Sequence, residues 1–180
     1  MARQGIASVP TIQEYFSILV DTLIAFRLDG WSTSVRRQLL QAPKYYFFDC
    51  GVLNALRGEL RTETRGSSFR YGRLFETWVI LEMIRLNDYS ESGYRFAYWR
   101  TNTGLEVDVI VYRNTLEPPW AVEIKSGDAP VEQDLKALVA FQKENPKARL
   151  YCFCQASRAR LVHGIHILPW QEGLKILFPT

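Results

Sequence analysis

The sequence has few of the residues that stabilise secreted or zinc-dependent domains. It contains only three cysteines (Cys50, Cys152 and Cys154) and two histidines in 180 residues. An odd cysteine count without framework spacing argues against a disulfide-rich domain, and with no signal peptide it predicts a reducing, cytoplasmic location. His163 and His166 lack further candidate ligands nearby, so the sequence does not predict a zinc site at this pair.

Long apolar runs, internal repeats, low-complexity tracts and Gly/Ser linkers are also missing. No segment is apolar over a length that crosses a bilayer, so we expect no membrane partner. The composition is 47% hydrophobic and 23% charged, which favours an ordinary packed core and excludes general disorder. The length of 180 residues suits one domain, or one domain with a small attachment.

Charge is nearly balanced over the whole chain, with a formal excess of +3, but it is unevenly distributed. Residues 57–73 contain five arginines against two glutamates. These arginines are Arg57, Arg61, Arg65, Arg70 and Arg73. An arginine-rich segment suits phosphate, so they are candidate nucleic-acid contacts. A solvated loop is the alternative, and charge alone favours that alternative.

Hydrophobic periodicity predicts an alternation of helices and strands. The predicted order begins with a helix from residue 10, a strand within LIAFRL, a strand at 44–49 and a short helix at 50–58. A helix at 69–87, strands at 94–100, 105–113 and 120–126, a helix at 131–143 and strands at 149–154 and 164–168 follow. The last segment, WQEGLKILF, fits either a helix or a strand. From residue 69 the order is helix, three strands, helix, strand, which predicts an α/β domain with a mixed sheet.

The stretch AVEIKSG carries charges on an otherwise apolar strand. Glu123 and Lys125 are two residues apart and therefore share one face of the strand. Burying a charge there costs free energy unless the charge has a partner. Asp108 lies on the preceding predicted strand. If the two strands are neighbours, Asp108, Glu123 and Lys125 converge at the strand ends. Charged residues that interrupt apolar strands in this way are expected mainly at functional or strained sites.

Strict alternation along the strand that carries Asp108 also predicts which side chains share its face. Val107, Val109 and Val111 should lie on one face, and Glu106, Asp108 and Ile110 on the other.

Two carboxylates about 4 Å apart repel by about 4 kcal/mol at an effective dielectric constant near 20. A proton, a cation or the lysine must offset that repulsion. Mg²⁺ suits such a pair because it takes a few carboxylate oxygens and keeps several waters. A bound divalent ion polarises a phosphoryl oxygen, and a neighbouring ammonium stabilises the developing charge. Phosphodiester hydrolysis is therefore the predicted chemistry, with a buried salt-bridge cluster as the alternative.

Asp108 followed by Glu123-Ile124-Lys125 resembles the motif of the PD-(D/E)XK nuclease superfamily, and the predicted element order resembles its core. Glu76, in GRLFETWV, stands where that superfamily often has a helix glutamate. The resemblance implies a restriction-endonuclease-like fold and an endonuclease that depends on Mg²⁺ or Mn²⁺. It implies Asp108, Glu123, Glu76 and the backbone carbonyl of Ile124 as metal ligands, with Lys125 positioning the attacking water. Val107 stands where the motif name has proline, and a solvated Glu76, or one paired with Arg73, remains the alternative for that residue.

Four segments resemble a domain of unknown function with a nuclease-like fold at the C-terminus of prokaryotic AAA+ ATPases, and the similarity extends over about residues 10–168. The segments are KYYFFDCGVLNALRG, YGRLFETWVILEMIR, YWRTNTGLEVDVIV and AVEIKSG. This resemblance implies a partial winged-helix attachment at residues 1–43 and a nuclease-like domain at residues 44–180.

The same resemblance implies DNA as the partner and an AAA+ ATPase module acting in cis in a longer protein or in trans. The sequence lacks G-x-x-x-x-G-K-[ST], so it does not contain that module. A catalytically inactive DNA- or protein-binding accessory domain is the alternative function. The oligomeric state stays open, with a homodimer among the options.

Overall fold

The computed structural model describes residues 8–32, 41–64, 66, 68–114 and 116–179. Within these ranges the helices are α1 (Val9–Asp21), α2 (Cys50–Leu56), α3 (Phe69–Tyr89), α4 (Glu132–Glu144) and α5 (Trp170–Leu177). The strands are β1 (Ala25–Gly30), β2 (Lys44–Phe47), β3 (Arg95–Arg100), β4 (Glu106–Tyr112), β5 (Trp120–Ile124), β6 (Arg149–Cys154), β7 (Arg160–Val162) and β8 (Ile165–Pro169).

The strands form one eight-stranded sheet in the order β2-β1-β3-β4-β5-β6-β8-β7. Pairing is antiparallel for β1–β2, β3–β4, β4–β5 and β7–β8, and parallel for β1–β3, β5–β6 and β6–β8. The structure therefore confirms the predicted α/β class with a mixed sheet.

Helices cover both faces of the sheet and give two cores. The first core joins α3 and α5 to one face; its buried members include Phe75, Val79, Met83, Val109, Val122 and Leu174. The second joins α4 to the other face; its members include Leu138, Phe141, Ile110, Ala121, Leu150 and Cys152. Because both faces are covered, the central strands are apolar on both sides, as expected for a sandwich of this kind.

Most predicted elements are present, with two differences at the end of the chain. The segment Arg160–Val162 forms β7, which is too short for a periodic pattern to reveal. The ambiguous tail is the helix α5, and its Leu174 and Leu177 are buried against the first core. No helix within the described ranges is long and apolar enough to cross a membrane.

Candidate functional site

The site begins at an irregularity in β4. Ala97 of β3 pairs with Ile110 and Trp99 pairs with Val107, so β4 has one extra residue over this stretch and forms a bulge beside Asp108. A bulge places neighbouring side chains on the same face and re-aims them. The predicted alternation is therefore wrong here: Val107 packs in the core against α4, whereas Val109 and Val111 pack against α3.

Asp108 lies where β4 and β5 separate. The paired residues of these strands end at Val109 and Val122. Beyond them, Asp108 Oδ2 accepts a hydrogen bond from the backbone N–H of Ile124 at 2.8 Å. Asp108 is 9% exposed. Burial is the largest cause that raises its pKa well above the ordinary value, and the nearby Glu123 and Glu76 carboxylates raise it further. The hydrogen bond from Ile124 acts in the opposite direction.

Glu123 is the most deeply buried charged residue of the site, at 4% exposure. Its Oε1 lies 2.7 Å from Lys125 Nζ, while its Oε2 is buried without a hydrogen-bond partner. Burial raises the pKa of Glu123 to about 7 despite the opposing effect of Lys125. Burial alone lowers the pKa of the Lys125 ammonium, but the Glu123 carboxylate and the hydrogen bond to it bring that pKa above its usual value.

Glu76 approaches the same region from the first half of α3. It is half-buried, and its Oε1 accepts a hydrogen bond from the Tyr46 hydroxyl at 3.3 Å. Burial, Glu76 and Asp108 together raise the pKa of Tyr46 above its usual range, so the hydroxyl keeps its proton and remains a donor. Glu76 also acts electrostatically on both Asp108 and Glu123. No ion pair between Glu76 and Arg73 is present in the described part of the chain.

The structure thus brings all four predicted side chains into one electrostatic cluster, which we call the carboxylate cluster: Glu76, Asp108, Glu123 and Lys125. The cluster straddles the sheet. Glu123 shares the face of Ala121 and Cys152, which pack against α4, whereas Glu76 comes from α3 on the opposite face. Asp108 lies between them at the strand junction.

The arginine segment lies beside this cluster and lines a cleft of about 1010 Å³ between β2, α2, the start of α3 and the β3–β4 turn. Arg57, Arg70 and Arg73 line this arginine cleft, and so does Glu76. Arg61 is exposed outside the lining, and Arg65 lies outside the described residues. Arg70 is already engaged, since it bonds the carbonyl of Glu59 at 3.0 Å and lies 3.4 Å from its carboxylate.

Lys44, Glu106 and Arg100 also line the cleft but were not predicted as site residues. The ammonium of Lys44 forms an ion pair with Glu106, and Arg100 Nε lies 3.7 Å from the same carboxylate. Lys44 and Glu106 are 62 residues apart, so no local spacing in the sequence could have revealed their contact.

The donor chemistry of the carboxylate cluster suits a hard divalent cation. Within the described ranges, no group of three or more His, Cys, Asp or Glu side chains is arranged to hold a metal ion. Mg²⁺ does not need such a group, because one or two carboxylates with several waters are sufficient. The unpartnered Glu123 Oε2 is the feature that fits an ion, since a buried carboxylate oxygen without a partner carries a substantial free-energy cost.

Comparison with known proteins adds a family but no described activity. No curated protein and no solved structure matches the chain. Residues 1–63 are similar to a family described as a domain of unknown function (DUF8612). Residues 71–172, more than half of the chain, match the model of a second family and include the whole carboxylate cluster. The chain therefore belongs to the family described as the domain of unknown function DUF4143.

Proposed function

We propose that this chain is a divalent-metal-dependent nuclease-like domain that hydrolyses phosphodiester bonds in DNA, on a restriction-endonuclease-like core. The observation that carries the proposal is the buried, unpartnered Oε2 of Glu123 in the same cluster as Asp108 and beside the Lys125 ammonium. The pKa values of Asp108 and Glu123 are both raised, mainly by burial, and such perturbed carboxylates are a common feature of catalytic sites.

Asp108 and Glu123 would hold Mg²⁺ or Mn²⁺, and Glu76, which is not arranged with them as a third ligand, would bind it through water. In an extended strand the N–H and C=O of one residue point to the same neighbouring strand, so the carbonyl of Ile124 is directed toward Asp108 and is available as a further oxygen ligand. When bound, the ion supplies positive charge to the phosphoryl oxygen and makes a water easier to deprotonate.

Lys125 would position the attacking water and stabilise negative charge that develops on the phosphate. Its ammonium stays protonated because its pKa is raised, and its side chain is 34% exposed, so it reaches both the buried carboxylate and solvent. The cleft arginines Arg57 and Arg73 would hold the DNA backbone through charge-assisted hydrogen bonds to phosphate.

Plasmid nicking tests this function. Supercoiled DNA is incubated with Mn²⁺ and wild type, Asp108→Asn, Glu123→Gln or the control Glu82→Gln. Glu82 lies on the same helix as Glu76 but pairs with Arg85 outside the cluster. We expect nicking by wild type and Glu82→Gln, and at least a 100-fold loss in both cluster variants. Absence of Mn²⁺-dependent nicking by the wild type would refute the proposed hydrolysis.

The second candidate is a catalytically inactive DNA- or protein-binding domain that serves an AAA+ ATPase module in cis or in trans. The Glu123–Lys125 ion pair favours it, because a lysine already neutralises one of the carboxylates. A gel shift with DNA but no nicking would support this candidate, and binding of neither DNA nor Mn²⁺ would leave a protein-binding role.

A further inference from the structure

The arginine cleft contains an exposed aromatic ring next to a guanidinium group. Phe69 is the first residue of α3 and is 82% exposed. One turn later, the Arg73 guanidinium lies 5.8 Å from the centroid of the Phe69 ring. Both residues line the cleft, so a flat apolar surface and a phosphate-binding group occupy one wall.

Further aromatic rings line the same cleft. Tyr45 of β2 stacks on Phe16 of α1, with ring centroids 4.2 Å apart and planes inclined by 23°. Phe16, Tyr45, Tyr46 and Phe47 all line the cleft, and of these Tyr46 is buried, with its hydroxyl bonded to Glu76. All four residues of β2, Lys44–Phe47, therefore contribute to the wall of the cleft.

The charges that line the cleft leave a local positive excess. Lys44 and Arg100 pair with Glu106, and Arg70 pairs with Glu59. Arg57 and Arg73 form no ion pair with any acidic side chain that the structure describes. Two unneutralised guanidinium groups beside aromatic rings are the combination by which proteins hold unpaired nucleotides, with phosphates on the cations and bases on the rings.

The cleft suits an unpaired strand better than a duplex. Its volume of about 1010 Å³ is at the upper end of the ~300–1,000 Å³ of pockets that enclose one small ligand. A few nucleotides can enter such a space. The bases of a duplex are stacked and paired inside the helix, so a duplex could present only its phosphates to the exposed ring of Phe69.

We infer that the arginine cleft binds a single-stranded segment of DNA, with Phe69 stacking on a base and Arg57 and Arg73 bonding the phosphates. The inference rests on the proposed function, because it treats the bound strand as the substrate of the carboxylate cluster. Glu76 belongs to both the cleft and the cluster. Binding itself needs neither the metal nor hydrolysis.

Fluorescence anisotropy of the full chain in EDTA tests the inference without any cleavage. The probes are a labelled 12-nucleotide single strand and the 12-base-pair duplex of the same sequence. We expect the single strand to bind at least 10-fold more tightly than the duplex. Phe69→Ala should weaken single-strand binding by about 10-fold, in the range measured for one stacked base. Arg73→Gln should also weaken it, because a charge-assisted hydrogen bond to phosphate is lost.

The matched control is Arg158→Gln, an exposed arginine in the loop before β7, at the sheet edge opposite β2. It removes the same charge and should leave binding unchanged. Phe69→Trp and Phe69→Leu separate stacking from simple apolar contact: the first should keep the fluorescence quenching of a 2-aminopurine base in the strand, and the second should lose it. Circular dichroism of each variant checks that the fold is intact.

Equal or tighter binding of the duplex would overturn the inference, and so would binding that is insensitive to the Phe69 variants. Both results leave the hydrolytic proposal standing if Mn²⁺-dependent nicking is observed. Conversely, selective single-strand binding in EDTA would support the inference even if no nicking occurs.

Discussion

The carboxylate of Asp108 accepts a hydrogen bond from the backbone N–H of Ile124 at 2.8 Å, beyond the point where their strands stop pairing. Beyond Val109 and Val122 no further residues of β4 and β5 pair, and the side chain of Asp108 provides the acceptor for the Ile124 N–H there. Asp108 therefore supports the sheet as well as the proposed chemistry, and substitutions must separate these two roles.

Asp108→Ala and Asp108→Asn should differ in stability. Alanine leaves the buried N–H of Ile124 without an acceptor, so we expect a loss of about 2 kcal/mol in the free energy of unfolding. Asparagine keeps an acceptor oxygen and removes a buried charge, so it should be at least as stable as wild type at pH 8. Urea denaturation measures both, and equal stability of the two variants would show that the hydrogen bond contributes nothing.

Glu123→Gln should change how stability depends on pH. Burial raises the pKa of Glu123 from 4.5 to about 7, so the folded chain binds this proton more tightly than the unfolded chain. The stabilisation is complete below about pH 4.5 and is lost as pH rises to about 7, which amounts to about 3 kcal/mol. Glu123→Gln should therefore gain stability relative to wild type between pH 5 and pH 8 in paired urea titrations. A constant difference across that range would contradict the raised pKa.

The affinity for a divalent cation should depend on pH through the proton on Glu123. A cation and a proton compete for the Glu123 carboxylate, so Mn²⁺ affinity should rise by at least about tenfold per pH unit below about pH 7, and the raised pKa of Asp108 should add to this dependence. Calorimetric titration with Mn²⁺ at pH 5.5, 6.5, 7.5 and 8.5 measures this dependence. Affinity independent of pH, or unchanged in Glu123→Gln, would remove this carboxylate from the metal site.

Lys125→Met should destabilise the chain at alkaline pH and much less at acid pH. At pH 8 the ionised Glu123 would lose its partner, at a cost of about 2 kcal/mol for a pair that is partly open to solvent. At pH 5 Glu123 is protonated and needs no cation. The control is Lys136→Met, an exposed residue of α4, which should be close to neutral at both pH values. Equal destabilisation at pH 5 and pH 8 would argue against the ion pair.

Asn87→Ala should reduce stability without affecting the site. Asn87 is buried at the end of α3, where it donates to the carbonyl of Tyr94 at 3.1 Å and accepts from the N–H of Tyr94 at 2.8 Å. Loss of both bonds should cost about 2 kcal/mol. Nicking and single-strand binding per folded molecule should be unchanged. A specific effect on either would mean that this end of α3 is coupled to the cluster.

Sequence patterns predicted the elements that are long or strongly periodic. Helix α3 was predicted at residues 69–87 and extends to Tyr89, because its apolar stripe is continuous over several turns. The Glu123–Lys125 contact also follows from the sequence, since residues two apart share one face of a strand. The approach of Asp108 needed only the assumption that β4 and β5 are neighbours, which the structure confirms, whereas Glu76 was implied only by the resemblance to the nuclease superfamily.

The features that sequence reasoning missed depend on contacts between distant segments. The bulge at Asp108 arises from how β4 pairs with β3, and alternation within β4 alone gives no sign of it. The ion pair of Lys44 with Glu106 likewise joins β2 to β4. Alternation describes a strand by itself, whereas the face that a side chain adopts also depends on the partner strand.

The sheet has a practical consequence for shortening this protein. Strand β1 joins β3 in parallel through Asp29–Ala97 and Gly30–Tyr98, and β2 lies outside it. A recombinant piece limited to residues 71–172 would lack both strands. The edge of β3 that pairs with β1 would then be unpaired, and β3 itself carries the large rings of Tyr98 and Trp99. Bare strand edges recruit other chains, so such a piece would self-associate, and a loss of activity in it would reflect this aggregation and the missing cleft residues rather than a change in the carboxylate cluster.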